Sequence, residues 1–185
     1  MVAVSLLVPI VLSAVIVFIA SALVWMVAPH HKHDWKGLSN EEATRAALNA
    51  SQPAPGMYMI PFAGSQETRK DAAFAKRMEE GPTGFLTLVR PGNRSMRPMM
   101  VQSLVYYLIV SYLVAYLASS TLPPGTHYLQ VFRVVGTAAW LGYGFGMVPE
   151  SIWFGRPWHS TFKRVADALF YALLTAGTFG WLWPA

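Results

Sequence analysis

Four long apolar runs limit what this chain can fold into. They cover about residues 4–27, 99–120, 128–148 and 165–183. A helix needs roughly 20 apolar residues to cross the hydrocarbon core of a bilayer, so each run is long enough for one crossing. Trp25 near the end of the first run and the closing "WLWPA" suit the interfacial aromatic belt. The runs therefore predict an all-α membrane protein with about four transmembrane helices.

The spacing of the runs divides the chain into three parts. These are an N-terminal transmembrane helix at residues 1–27, an extramembrane segment at 28–98, and a three-helix transmembrane bundle at 99–185. We interpret the first run as a retained anchor, because no Lys or Arg precedes it and no A-x-A cleavage site follows it. The chain has no cysteine, which excludes disulfides and thiolate metal ligands.

The distribution of basic residues predicts the orientation in the membrane. Ten of the 14 Lys and Arg residues lie in 28–98 and three lie in 149–164. Basic residues beside transmembrane helices stay on the cytoplasmic side, so both segments are expected in the cytoplasm of a bacterium and both termini outside its inner membrane. Acidic residues are interspersed with the basic ones in 28–98. The net charge of +5 therefore points to the anionic lipid surface as a partner and not to nucleic acid.

The segment 28–98 is predicted to contain short helices and extended connectors. Ser39 with Glu42 three residues later has capping-box spacing, which predicts a helix to about residue 50. The prolines of "SQPAPGMYMIPF" predict an extended connector, and a second helix is expected in "QETRKDAAFAKRMEEGP" before Gly81 and Pro82. Neither helix has the apolar surface of an independent core. The strips "MYMIPF" and "GFLTLV" are therefore expected to contact the membrane, the bundle or another polypeptide.

Small residues recur at four-residue spacing in three of the apolar runs. Such stripes let helix backbones approach closely and predict helix contacts, although some stripes can face lipid instead. The residues are Ser111, Ala115 and Ser119 in the second run, Ala138, Gly142 and Gly146 in the third, and Ala168, Ala172, Ala176 and Gly180 in the fourth. The second run also carries four tyrosines in "YYLIVSYLVAY". They suit packing inside the bundle, or a docking face for lipid tails, a carotenoid or a partner helix.

A cluster of polar residues follows the first run and provides the candidate metal ligands His30, His31, His33 and Asp34. Adjacent histidines point in different directions on a helix or a strand, so one ion would need an irregular backbone to collect several of them. The competing interpretation is a polar boundary between a span and the headgroups. Asp167 follows Lys163 at i,i+4 spacing, which favours an ion pair between those two residues. A metal site could also draw on Glu150 and Asp167.

Several sequence stretches resemble a family of four-span bacterial inner-membrane proteins that has no assigned activity. The stretches are "PHHKHDW", "PGMYMIPF", "EEGPTGFLTL", "YLVAYLASSTLPPG" and "LLTAGTFGWLWP", and together they extend over most of the chain. The resemblance implies four spans in an inner membrane. It implies no reaction and no site residues.

These observations favour an accessory, non-enzymatic subunit of a larger inner-membrane complex of respiration or photosynthesis. Its partners would be membrane lipid and other membrane-protein subunits. No catalytic residue and no cofactor-binding residue is predicted, because phosphate loops and paired catalytic carboxylates are missing. One alternative is a small membrane enzyme or transporter with a His/Asp metal site at the cytoplasmic face. Another is a membrane module that binds lipid or a carotenoid.

Overall fold

The protein is described by a computed structural model that covers residues 4–92 and 95–185. Residues 1–3 and 93–94, which fall within the predicted parts 1–27 and 28–98, lie outside the described residues. The chain divides into two compact units. We call residues 4–34, 95–151 and 156–185 the helical unit, and residues 35–92 and 152–155 the small unit.

The described residues are mostly helical. In chain order the elements are α1 (Leu7–Met26), α2 (Glu41–Ser51), β1 (Gly56–Ile60), α3 (Gln66–Lys70), α4 (Ala72–Glu80), β2 (Gly84–Leu88), α5 (Met96–Thr121), α6 (Tyr128–Gly144), α7 (Val148–Trp153) and α8 (Trp158–Trp181). Short 3-10 turns precede α1, follow it at Pro29–His31, and join α6 to α7 at Phe145–Met147.

Three helical segments among the described residues are long and apolar enough to cross a membrane. They are Val4–Met26, Met96–Thr121 and Tyr128–Trp153, which correspond to the first three apolar runs. The fourth run lies in α8, which is not among the helices that are long and apolar enough to cross. Its N-terminal half contains Lys163, Arg164 and Asp167, and these charged residues lower the mean hydropathy of the helix. The fourth crossing therefore stays a prediction.

The core of the helical unit lies between α1, α5, α6 and α8, with the most extensive contact between α6 and α8. Small residues make this contact close. A Cβ atom added to Gly144 would lie 2.9 Å from Cβ of Ala168, and one added to Gly180 would lie 2.7 Å from Cε2 of Tyr128. Buried polar side chains hydrogen-bond across the helices, since Oγ of Ser13 in α1 donates to Oγ of Ser111 in α5 at 3.1 Å.

The residues of the predicted small-residue stripes lie in different environments. The fully buried ones are Ser111, Ala115, Ala168, Ala172 and Ala176, and the half-buried ones are Ser119, Ala138 and Gly180. A Cβ added to Gly142 would lie 3.2 Å from Val110 of α5, whereas one added to Gly146 would meet no atom within 4 Å. Gly146 lies in the 3-10 turn after α6, so the close approach of α6 to α8 is made at Gly136 and Gly144.

The small unit contains one two-stranded antiparallel sheet. Strands β1 and β2 pair with Gly56 opposite Leu88 and Ile60 opposite Gly84. These strands lie largely in the two apolar strips "MYMIPF" and "GFLTLV", so the segment predicted as an extended connector supplies one strand of a sheet. The prediction of an all-α chain was therefore wrong for the small unit. The alternation of side chains places Met57, Met59 and Phe85 on one face of the sheet, and all three are exposed.

The helices of the small unit differ from their predictions in two details. The N-cap of α2 is Asn40 and not Ser39, because Oδ1 of Asn40 accepts a hydrogen bond from the backbone N–H of Ala43 at 3.1 Å. The second predicted helix is two helices, α3 and α4. Asp71 between them has an extended backbone, and its side chain caps α4 by accepting from the N–H of Ala73.

Candidate functional site

The polar residues after α1 meet the first turns of α8 in the helical unit. We call this group the His–Asp cluster; it consists of His30, His31, Asp34, Lys163 and Asp167. The helix α1 ends before Pro29, which opens the 3-10 turn Pro29–His31. Backbone hydrogen bonds from Lys32 to Pro29 and from Asp34 to His31 fold the following residues back. This irregular backbone gathers side chains that a regular helix would separate.

His31 lies between two carboxylates. Its Nδ1 lies 2.7 Å from Oδ2 of Asp34, and its Nε2 lies 2.7 Å from Oδ2 of Asp167. The residue is 7% exposed, and its ring stacks on the indole of Trp25 with centroids 4.1 Å apart and planes 4° apart. Stacking and two polar contacts together fix the plane and the direction of the imidazole.

Asp34 is held as a carboxylate by its neighbours. Nζ of Lys163 donates to its Oδ1 at 2.8 Å, and Oγ of Ser160 lies 3.3 Å from its Oδ2. The hydrogen bond from Lys163, followed by the one from His31, holds the pKa of the Asp34 carboxyl well below its usual range. Asp34 is therefore ionised at neutral pH and accepts hydrogen bonds with both oxygens.

His30 contacts the same carboxylate as His31. Its Nε2 lies 3.0 Å from Oδ1 of Asp167, while its backbone carbonyl accepts from Nζ of Lys163 at 2.6 Å. The His30 side chain is 38% exposed, so this edge of the cluster is open to solvent. Of the four predicted ligands, three thus come together and the fourth, His33, is an exposed residue outside the cluster.

The ion pairs of α8 differ from the i,i+4 pairing that the spacing favoured. Lys163 pairs with Asp34, and Asp167 pairs with the two histidines. Glu150, the other acid considered for a metal site, lies with Oε2 2.6 Å from Nε of Arg156. The partner of Asp167 could not be found from local spacing, because it lies more than 130 residues away in the chain.

The ligand chemistry of the cluster suits a cation. Among the described residues, one ligand atom each from His30, His31 and Asp167 lies within 4.8 Å of the others. A neutral imidazole whose Nδ1–H donates to Asp34 presents a lone pair at Nε2, and that lone pair would face an oxygen of Asp167. A metal ion between Nε2 of His31 and the Asp167 carboxylate would satisfy both acceptors.

A cavity of about 300 Å³ lies beside the cluster, and its lining includes Asp167 of the cluster and Trp25, which stacks on His31. Its other lining residues are Tyr106, Tyr107, Tyr143, Met147, Arg164, Ala168 and Tyr171. Two buried polar atoms of lining residues, the hydroxyl of Tyr171 and Nη1 of Arg164, have no hydrogen-bond partner in the described part of the chain. Nη1 of Arg164 lies 3.7 Å from Oε2 of Glu150, so the Tyr171 hydroxyl is the donor of this aromatic cavity that a ligand could satisfy.

Comparisons with known proteins give no relative for this chain. No protein-family model, no curated protein and no solved structure matches it. Its function is therefore argued from its own residues and their geometry.

Proposed function

We propose that the chain is a four-span protein of the bacterial inner membrane that acts as an accessory subunit of a larger respiratory or photosynthetic complex. The observation that carries this proposal is the near-absence of buried side chains among the described residues of the small unit. Of its described residues, 35–92 and 152–155, only Ala63 is buried. The role proposed is structural: the helical unit packs beside partner helices, and the small unit covers a neighbouring subunit.

The physical argument is that the small unit has too little core to be stable by itself. Ordering a residue costs about 1.5 kcal/mol of conformational entropy, and burial of apolar surface must offset that cost. Met57, Phe62 and Phe85 are 74%, 70% and 47% exposed. A protein partner would bury these side chains and supply the missing stabilisation.

The membrane arrangement follows from charge and packing. The apolar half of α8 packs along α6 and α1, which supports counting it as the fourth crossing. Four crossings place both termini on the same side, and the basic segments 28–98 and 149–164 favour the cytoplasm for the opposite side.

Gentle extraction of the native protein, followed by native electrophoresis and mass spectrometry, tests the proposal. We expect a band much larger than the 20.4 kDa chain, with membrane-protein partners in fixed stoichiometry. The double variant Met57→Gln with Phe85→Gln should release those partners, because it removes two of the three exposed apolar side chains on that face of the sheet.

The matched control is Thr87→Gln, which lies opposite Met57 on the same face and removes no apolar side chain. It should leave the complex intact. A lone chain from native membranes, or equal loss of partners from the control and the double variant, would contradict the accessory role.

The cavity favours a second candidate, a module that binds a lipid or carotenoid end group. Tyr106 and Tyr107 of the tyrosine-rich run line it, and the unpartnered hydroxyl of Tyr171 could bind an oxygen of such a group. Extraction of the purified protein with organic solvent should then yield one apolar ligand in near-equimolar amount. The variant Tyr171→Phe should remove the hydroxyl that would bind the ligand and lower that amount, and an unchanged yield would count against this candidate.

A further inference from the structure

We propose that His30, His31 and Asp167 bind a divalent transition-metal ion, and that Asp34 is a positioning residue for His31. This site goes beyond the accessory role, since a subunit can fulfil that role without a metal. The ion would lie where the residues after α1 meet α8, with protein ligands on one side. The half-exposed His30 leaves the other side open to water or to a further ligand.

The separations between the ligand atoms approach those of a metal site. Nε2 of His31 lies 2.7 Å from Oδ2 of Asp167, and Nε2 of His30 lies 3.0 Å from Oδ1. Zinc bonds of about 2.0–2.2 Å in a tetrahedron place neighbouring ligand atoms about 3.3 Å apart. Small rotations of the side chains would therefore admit an ion between them.

The contacts behind His31 are those that metal-binding histidines use. A ligating imidazole commonly donates its other N–H to a carboxylate, which fixes the tautomer and makes the ligating nitrogen more basic. Asp34 accepts from Nδ1 of His31 in this way, and Lys163 holds Asp34 in place. Trp25 covers the face of the ring. Nε2 is consequently directed at Asp167 before any ion binds.

The two imidazoles approach the same carboxylate together. Their ring centroids lie 4.2 Å apart, and each ring directs its Nε2 at a different oxygen of Asp167. One divalent ion would therefore be shared by both imidazoles and the carboxylate. Two imidazole nitrogens and one carboxylate oxygen form a ligand set that suits Zn²⁺ or Fe²⁺ with open coordination positions.

The test uses the full-length protein in mild detergent, stripped with a chelator and titrated with Zn²⁺ and with Co²⁺. We expect one ion per chain and d–d absorption bands from the bound Co²⁺. His30→Gln and His31→Gln should each abolish stoichiometric binding. His33→Gln is the matched control, because His33 is exposed and lies outside the cluster; it should bind as the wild type does.

Asp34→Asn distinguishes a positioning role from a merely structural one. It should weaken Zn²⁺ binding by about 10- to 100-fold and shift the Co²⁺ bands, and Asp34→Glu should restore part of the affinity. Substoichiometric binding by the wild type, or equal binding by the His30→Gln variant, would overturn the site. Because His30 is half-exposed, its variant is expected to fold, so a loss of metal binding can be assigned to the lost ligand and not to unfolding.

Discussion

Oδ2 of Asp167 lies 2.7 Å from Nε2 of His31, although 136 residues separate the two in the chain. This contact joins the residues after α1 to α8. Asp167 also contacts His30, and its side chain is only 13% exposed. One carboxylate therefore links the segment after the first helix to the last helix of the helical unit.

Replacing this carboxylate should loosen the connection. We expect Asp167→Asn to lower the free energy of unfolding by about 1–3 kcal/mol, because the amide cannot accept from both histidines. Thermal unfolding in detergent with a chelator present measures the effect without any bound metal. Glu79→Gln, on an exposed position of α4, is the control and should be neutral. Equal midpoints for both variants would contradict the expectation.

The contact between α6 and α8 should not tolerate a larger residue at Gly144. The added Cβ of Gly144→Ala would lie 2.9 Å from that of Ala168, so the helices must shift at a cost of about 1–3 kcal/mol. Gly146→Ala is the matched control, since its Cβ would meet no atom within 4 Å. Adding Ala168→Gly to Gly144→Ala should restore much of the lost stability. Thermal unfolding of the four proteins tests this, and an equal effect of the two glycine variants would refute it.

The absence of cysteine makes the proposed orientation easy to test. Single cysteines at Thr126 and at Glu79 should react differently with a membrane-impermeant maleimide in spheroplasts. We expect Thr126→Cys to be labelled in intact cells and Glu79→Cys only after the membrane is opened. His159→Cys should behave like Glu79→Cys, because the proposed arrangement has the basic segment around it in the cytoplasm. Labelling of all three in intact cells would exclude the four-span arrangement.

Residues 35–92 of the small unit should not fold alone. A peptide of these residues is expected to show the circular dichroism of a largely unfolded chain and rapid exchange of its amide hydrogens, because only Ala63 is buried in this stretch. The peptide also lacks Phe154, whose ring lies 5.4 Å from that of Phe85 in the hairpin. A cooperative thermal transition of the isolated peptide would show that the unit is stable without a partner.

Hydropathy predicted most of the helical unit. The first three apolar runs form helices within a few residues of their predicted ends. Their lengths could be predicted because the thickness of the hydrocarbon core fixes the number of apolar residues that a spanning helix needs. Local pattern could not predict that β1 and β2 pair, since both strips are short and one lies among prolines. The partners of Asp167 could not be predicted either, because i,i+4 spacing identifies neighbours on one helix and not contacts between distant segments.

The His–Asp cluster also sets an order of events during synthesis. Chains grow at about 5–20 residues per second, so Asp167 leaves the ribosome on the order of 10 s after His31. During that interval the residues after α1 lack their counter-charges from α8. The first helix can enter the membrane early, but its polar end is secured only when the last helix arrives.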